Sequence, residues 1–226
     1  MKYTIRGTVM QTVDVTLAPG ETVYTESGGM AWMTANIEMD SNLKGGLRGA
    51  LGRVVSGASL FLVDYTATGG EGMVTFANEF PGKILDFTLA AGQSLICQKN
   101  AFMAAEKSVT LEGHFHRRLG AGLFGGEGFF LQSLTGPGVV FVELAGEITQ
   151  YPLQAGQRLL VNPGHVALLD PSVGFDITTV PGIKNILFGG EGLFLVDLQG
   201  PGNVWLQSMP LPNLAGRLAP YLPKRN

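Results

Sequence analysis

The stretch LAPGETVYTESGGMAWMTANIEMD, residues 17–40, decides the fold of this chain because the chain writes it three times. It aligns without a gap on LAAGQSLICQKNAFMAAEKSVTLE at residues 89–112, 72 positions later. It aligns again on LQAGQRLLVNPGHVALLDPSVGFD at residues 153–176, a further 64 positions on. A second block follows each copy: SLFL at 59–62, GFFL at 128–131 and GLFL at 192–195. Blocks that keep one order and nearly one spacing mark a repeated supersecondary unit whose copies bury their apolar faces against one another.

Working outward, the pattern inside and around each copy has a period of two. Tyr3, Ile5, Val9, Val13, Val15 and Leu17 share one parity, and Thr4, Arg6, Thr8, Thr12 and Thr16 the other. Ile37 and Met39 alternate with Glu38 and Asp40, as Val173, Phe175 and Ile177 do with Gly174, Asp176 and Thr178. Such alternation is the mark of half-buried strands. The runs 139–142 and 159–161 are continuously apolar and predict strands covered on both faces. Pro-Gly, Gly-Gly and Gly-Pro-Gly turns punctuate the strands, so the expected fold is all-β, a sandwich built from three tandem modules. The copies fall at 1–70, 71–136 and 137–203, with a C-terminal strand and cap at 204–226. Residues 43–55 are an insertion in the first copy alone, with Leu43, Leu47, Leu51 and Val54 at helical spacing. Residues 212–222 predict a second short helix, with Asn213 as N-cap and Pro220 limiting its length. Both helices are read as caps over the open end of a sheet.

The 226 residues are 45% hydrophobic and 15% charged, with 33 glycines. A charged share below the roughly 25% of ordinary globular proteins suits a strand-and-turn chain that covers part of its surface in a homo-oligomer. The net charge of −3 gives no general attraction to nucleic acid or anionic membranes. Cys97 is the single cysteine, so no intrachain disulfide forms and a reducing compartment is the expectation. The alternating N-terminus reads as neither a secretory signal nor a mitochondrial presequence, and no apolar run approaches a membrane span. The expected location is cytoplasmic, with peripheral contact to a membrane left open.

The segments GGEGFFLQSLTGPG (125–138), GGEGLFLVDLQGPG (189–202) and SGASLFLVDYTATG (56–69) resemble one family across essentially the whole chain. It is an uncharacterised bacterial and archaeal family related to a fungal mitochondrial protein of the altered-inheritance-of-mitochondria class. The resemblance implies a β-sandwich grouped with the tryptophan RNA-binding attenuator, internal duplication and trimeric assembly. For the mitochondrial members it implies a role in organising the inner membrane. It supplies no catalytic residues. The first copy departs from the pattern, with Ala58 where the others carry Glu127 and Glu191.

Few residues invite chemistry. Gly125, Gly126, Glu127 and Gly128, with Gly189, Gly190, Glu191 and Gly192, are followed by strand-like Phe-Leu sequence and no Gly-Lys-Ser/Thr. They read as tight turns or bulges rather than phosphate loops. On a regular strand His114 and His116 point the same way, with Glu112 on the same parity, so the three could ligate one metal; neither histidine recurs in the other copies. Asp40, Glu112 and Asp176 share one aligned position. They are either solvent-facing partners of Met39, Leu111 and Phe175, or carboxylates that converge around a pseudo-threefold axis. Glu21, Gln93 and Gln157 occupy a turn position and should hydrogen-bond locally. Cys97, flanked by Leu95 and Ile96, reads as inert core. The reading is therefore a non-enzymatic scaffold or interaction protein without a cofactor, assembled as a trimer, with a protein or peripheral membrane partner. The alternatives are a module binding an apolar or carbohydrate ligand and, third, a metal-dependent enzyme using His114 and His116.

Overall fold

Alternating residues become the same six strands three times over. The computed structural model describes residues 1–26, 29–42, 62–117, 129–179 and 194–222. After an N-terminal strand β1 (Lys2–Arg6), the first copy runs β2 (Thr12–Leu17), β3 (Thr22–Glu26), β4 (Met30–Met33), β5 (Ile37–Asn42), β6 (Leu62–Ala67) and β7 (Gly72–Ala77). The second runs β8 (Gly82–Leu89), β9 (Ser94–Gln98), β10 (Phe102–Glu106), β11 (Thr110–Arg117), β12 (Phe129–Thr135) and β13 (Gly138–Ala145). The third runs β14 (Ile148–Leu153), β15 (Arg158–Val161), β16 (Val166–Leu169), β17 (Gly174–Thr179), β18 (Phe194–Gln199) and β19 (Gly202–Gln207). Among the described residues a single α-helix, α1 (Leu211–Leu218), follows β19, and a 3₁₀ turn at Ala219–Tyr221 comes after it.

In every copy the sixth strand pairs with the first and the third, and the fifth pairs with the second and the fourth, all antiparallel. Each copy is thus two facing three-stranded half-sheets, a small sandwich. Because the sixth strand pairs with the first strand of its own copy, hydrogen bonding divides the copies at the linkers 78–81 and 146–147. That is one strand later than division at the aligned blocks.

The copies are fused by strand pairing. The second strand of one copy pairs with the third strand of the next: Tyr24 opposite Ala105, and Ile96 opposite Leu169. The result is four stacked sheets in the orders β1-β2-β7-β4, β5-β6-β3-β10-β13-β8, β11-β12-β9-β16-β19-β14 and β15-β18-β17. Each interval between sheets holds one apolar core. Val13, Val15, Val74 and Phe76 of the first sheet pack on Tyr65 and Phe141 of the second. Val140, Val142 and Leu144 of the second meet Leu95, Cys97 and Leu134 of the third. Ile96, Leu131 and Val204 of the third meet Val196 and Leu198 of the fourth.

Both faces of the second sheet are therefore covered, which is why Val140, Phe141 and Val142 are fully buried, as their unbroken apolar run predicts. The parallel expectation for 159–161 is corrected: Leu160 is 55% exposed, because β15 lies on the last of the four sheets and no described strand packs beyond it. The helix differs from expectation at its start. Its N-cap is Pro210, not Asn213, whose N–H instead donates to the Pro210 carbonyl at 3.0 Å. Proline fixes φ and lacks an N–H, so Pro212 suits the first turn and moves the start upstream. No residue of α1 is buried. The insertion 43–55 lies outside the described residues.

Candidate functional site

Polar side chains that the repeat places at fixed positions act on the backbone of their own turns. Glu21, Gln93 and Gln157 each accept the N–H of the residue three before, Ala18, Ala90 and Gln154, at 2.8, 3.0 and 2.6 Å. Thr34, Glu106 and Asp170, also aligned, accept the N–H of Met73, Val139 and Asn203 at 2.9, 2.8 and 2.7 Å. Gly138 and Gly202 hold φ of +141° and +143° just before two of those donors. A Cβ there would press within 3.0 Å of the capping side chains or their neighbours, so glycine is required at both.

A third recurring position lies at the end of the sixth strand. Glu143 accepts the N–H of Glu79 at 3.0 Å, in the linker before its own copy, and Gln207 that of Ala145 at 3.0 Å, at the end of β13 where the linker to its copy begins. The aligned residue of the first copy is Ala77. Burial pushes the Glu143 carboxyl up to about 7, with the Glu79 N–H pulling back and the Glu79 charge adding to the rise.

Between the second and third sheets lies a polar pair that the repeat does not explain. Gln132 occupies the place of Val63 and Val196, is 2% exposed, and donates from Nε2 to Glu26 at 2.9 Å. Its Oε1 has no hydrogen-bond partner. Burial raises the pKa of Glu26, while the Gln132 amide and the Lys99 ammonium lower it. Lys99 sits 5.8 Å over the Phe130 ring, and these two help to line a cavity of about 90 Å³ beneath the start of α1. Gln207 closes its floor, with Nε2 donating to the Gly164 carbonyl at 3.0 Å and to Gln98 at 3.3 Å. Such a volume holds about three waters, far less than the 300 Å³ or more of a cofactor or drug-sized pocket. A shallower cleft of about 590 Å³ follows residues 208–217 and opens broadly to solvent.

The sequence candidates are dispersed. Asp40, Glu112 and Asp176 are all exposed, on β5, β11 and β17 of the second, third and fourth sheets. Stacked sheets lie about 10 Å apart, so these carboxylates stand one per layer. His114 is exposed, and the pairing of β11 with β12 shifts register between Gly113 and Phe115. That bulge interrupts the strict alternation on which His114 and His116 would share a face. Among the described residues no three His, Cys, Asp or Glu side chains gather closely enough to hold a metal ion. The glycine-rich candidates 125–128 and 189–192 lie outside the described residues. Cys97 is fully buried, and burial pushes its thiol far above the ordinary value. No helix among the described residues is long and apolar enough to cross a membrane.

Glu143 and Gln207 escaped sequence reading because they lie outside the two aligned blocks. Extending the alignment through the Gly-Pro-Gly turns would have found them, and extending SLFL by one residue would have exposed Gln132 between two valines.

With this geometry in place, comparison with known proteins is informative. The family model described as mitochondrial biogenesis AIM24 matches residues 3–209. An uncharacterised protein of Streptococcus pyogenes serotype M6 is 30% identical over 232 residues, covering 99% of this chain and 92% of that one. The crystal structure of a Streptococcus pyogenes protein superposes with a TM-score of 0.79 at 27% identity, covering 98% of this chain and 99% of the other.

Proposed function

The chain belongs to the mitochondrial biogenesis AIM24 family, and on that footing we propose that it is a non-enzymatic scaffold that works as a homo-oligomer, a trimer. One observation carries the reading: the stack stops with two incomplete sheets. Among the described residues the interior sheets have six strands, whereas the fourth has three and the first has a single half-unit plus β1. Edges left in this way favour association with further strands. The polar side chains at the recurring positions, Glu143 and Gln207 buried and Glu106 and Asp170 partly so, support the same reading, since they satisfy backbone N–H groups at turns and strand ends and so rigidify the stack. Native mass spectrometry of the full chain tests the proposal. Three times the 23.9 kDa chain mass is expected, and a monomer at every concentration overturns it.

A peripheral membrane contact is favoured by the placement of exposed apolar side chains. The linkers form a row, with Gly82 donating to the Val9 carbonyl, Gly146 to that of Pro81 and Met209 to that of Ala145. Val9 and Met10 begin this row and α1 leaves its end, where Leu218, Tyr221 and Leu222 are 51%, 86% and 64% exposed. Co-sedimentation with vesicles of mixed anionic and zwitterionic lipid is expected to weaken several-fold in a Tyr221→Ser, Leu222→Ser variant. Equal binding by variant and parent, or no binding by either, overturns the membrane contact.

A further inference from the structure

In the cavity of about 90 Å³ beneath the start of α1, acceptors are engaged and donors are not. Gln207 Oε1 accepts the Ala145 N–H at 3.0 Å. Gln98 Oε1 and the Gly164 carbonyl accept Gln207 Nε2 at 3.3 and 3.0 Å. The Lys99 ammonium lies 5.8 Å over the Phe130 ring and makes no hydrogen bond or ion pair with any described residue. Gln98 Nε2 and the Asn100 side-chain amide likewise bond to no described residue. Glu26, the acidic group on which the Lys99 charge acts, is engaged instead by Gln132 Nε2 at 2.9 Å. Lys99 is half-buried, so it has lost hydration that nothing in the chain replaces. What the wall lacks is an acceptor carrying negative charge.

The rest of the wall sets the size and the other end of that acceptor. Phe80, Ala101 and Ala145 are buried and line the cavity together with the Phe130 ring and Leu211. Their side chains carry no hydrogen-bonding group, so they suit methyl and methylene groups. Inorganic phosphate, a multiply charged anion with oxygen on every side, matches neither these surfaces nor a single ammonium. A volume of about three waters leaves no room for a fatty acid or a nucleotide. The first turn of α1 contains no acidic residue, so no helix carboxylate competes for Lys99 there.

We propose that this cavity binds a short aliphatic carboxylate, acetate or propionate, with its oxygens on Lys99, Gln98 and Asn100 and its alkyl end against Phe80, Ala145 and Leu211. Because Leu211 and Pro212 complete the wall, an occupied cavity holds the first turn of α1, a helix with no buried residue of its own. Every residue of the site comes from one chain, so binding does not depend on assembly or on a membrane.

Titration of the full chain with sodium propionate at constant ionic strength, followed by NMR, tests the site. Signals of the Leu211 methyls and the Gln98 and Gln207 side-chain amides should move saturably, with a dissociation constant on the order of 1 mM for so small a ligand. Acetate should act in the same way. Acetamide, which has the shape without the charge, and pentanoate, which exceeds the volume, should not. Lys99→Gln should weaken propionate at least tenfold while leaving the thermal midpoint unchanged, and Lys99→Arg should keep part of the affinity. Saturating propionate should also slow hydrogen exchange of the Asn213 and Leu214 amides, which donate to the Pro210 carbonyl, several-fold in the parent and not in Lys99→Gln. No saturable shift in the parent overturns the proposal. So does equal binding by Lys99→Gln, equal binding of pentanoate, or phosphate binding as tightly as propionate. Should Lys99→Gln fold poorly, Leu211→Trp fills the cavity from the helix side and must abolish the Gln98 shift; a shift that persists places propionate elsewhere and overturns the site.

Discussion

The inner sheets and the end sheets of this molecule are built from the same half-units, yet they behave as different materials. In the second sheet, Val140, Phe141 and Val142 are all fully buried, because each face has a neighbour. The first and fourth sheets turn polar outward. Arg6 binds Asp14 at 2.6 Å and Thr75 binds Asp14 at 2.8 Å on one, and Arg158 binds Asp197 on the other. Arrays of repeats need such terminal faces for solubility. The exceptions, Trp32 and Leu160, are informative because they fall on the two strand edges that the internal junctions use.

The sharpest way to break the comparison is to shorten one aligned side chain at both kinds of site. Leu168→Ala, inside the stack, should cost about 2–5 kcal/mol of stability through lost burial and a residual cavity. Trp32→Ala at the aligned end position, where the side chain is half exposed, should cost about 1 kcal/mol or less. Urea unfolding of the two variants decides it, and equal losses would mean that end and interior do not differ.

A smaller effect comes from the sixth-strand position, which carries Ala77, Glu143 and Gln207 in the three copies. The folded Glu143 carboxyl titrates near 7, against 4.5 for the ordinary group, so between these values the folded state holds the extra proton. Its stabilising contribution is complete below about 4.5 and is lost as pH rises through 7, amounting to about 3 kcal/mol. Glu143→Gln, which copies Gln207, should abolish that decline and leave the variant more stable than the parent at pH 8. Parallel stability curves for the two between pH 4.5 and 8 would contradict the assignment.

Much of this was legible in the residues. The alignment of 17–40 with its two copies located the capping side chains Glu21, Gln93 and Gln157, because a turn and its cap lie within four residues. Asp40, Glu112 and Asp176 were equally visible as an aligned set, but alignment carries no information about distance, and they stand on three separate sheets. The shared face of His114 and His116 presupposes a regular strand, and the register shift between Gly113 and Phe115 lies outside what alternation alone can read. A bulge is a feature of pairing between two strands, and β11 alone does not announce it. Gln132 was hidden because its burial comes from the sheet carrying Glu26, 106 residues away along the chain.

The sequence by itself determined the module: its period, its strands, its turns and its polar caps. These depend on alternation and turn chemistry over a few residues, which local order preserves. Only the tertiary structure decided that the module is split between two sheets, with each interior sheet shared by successive copies. That sharing rests on pairing between β3 and β10 and between β9 and β16, as in Tyr24 with Ala105 and Ile96 with Leu169, long-range contacts made by strands that look alike in isolation. Local pattern makes each of them a strand; which edges they find, and which are left bare at Trp32 and Leu160, follows from how the sheets stack.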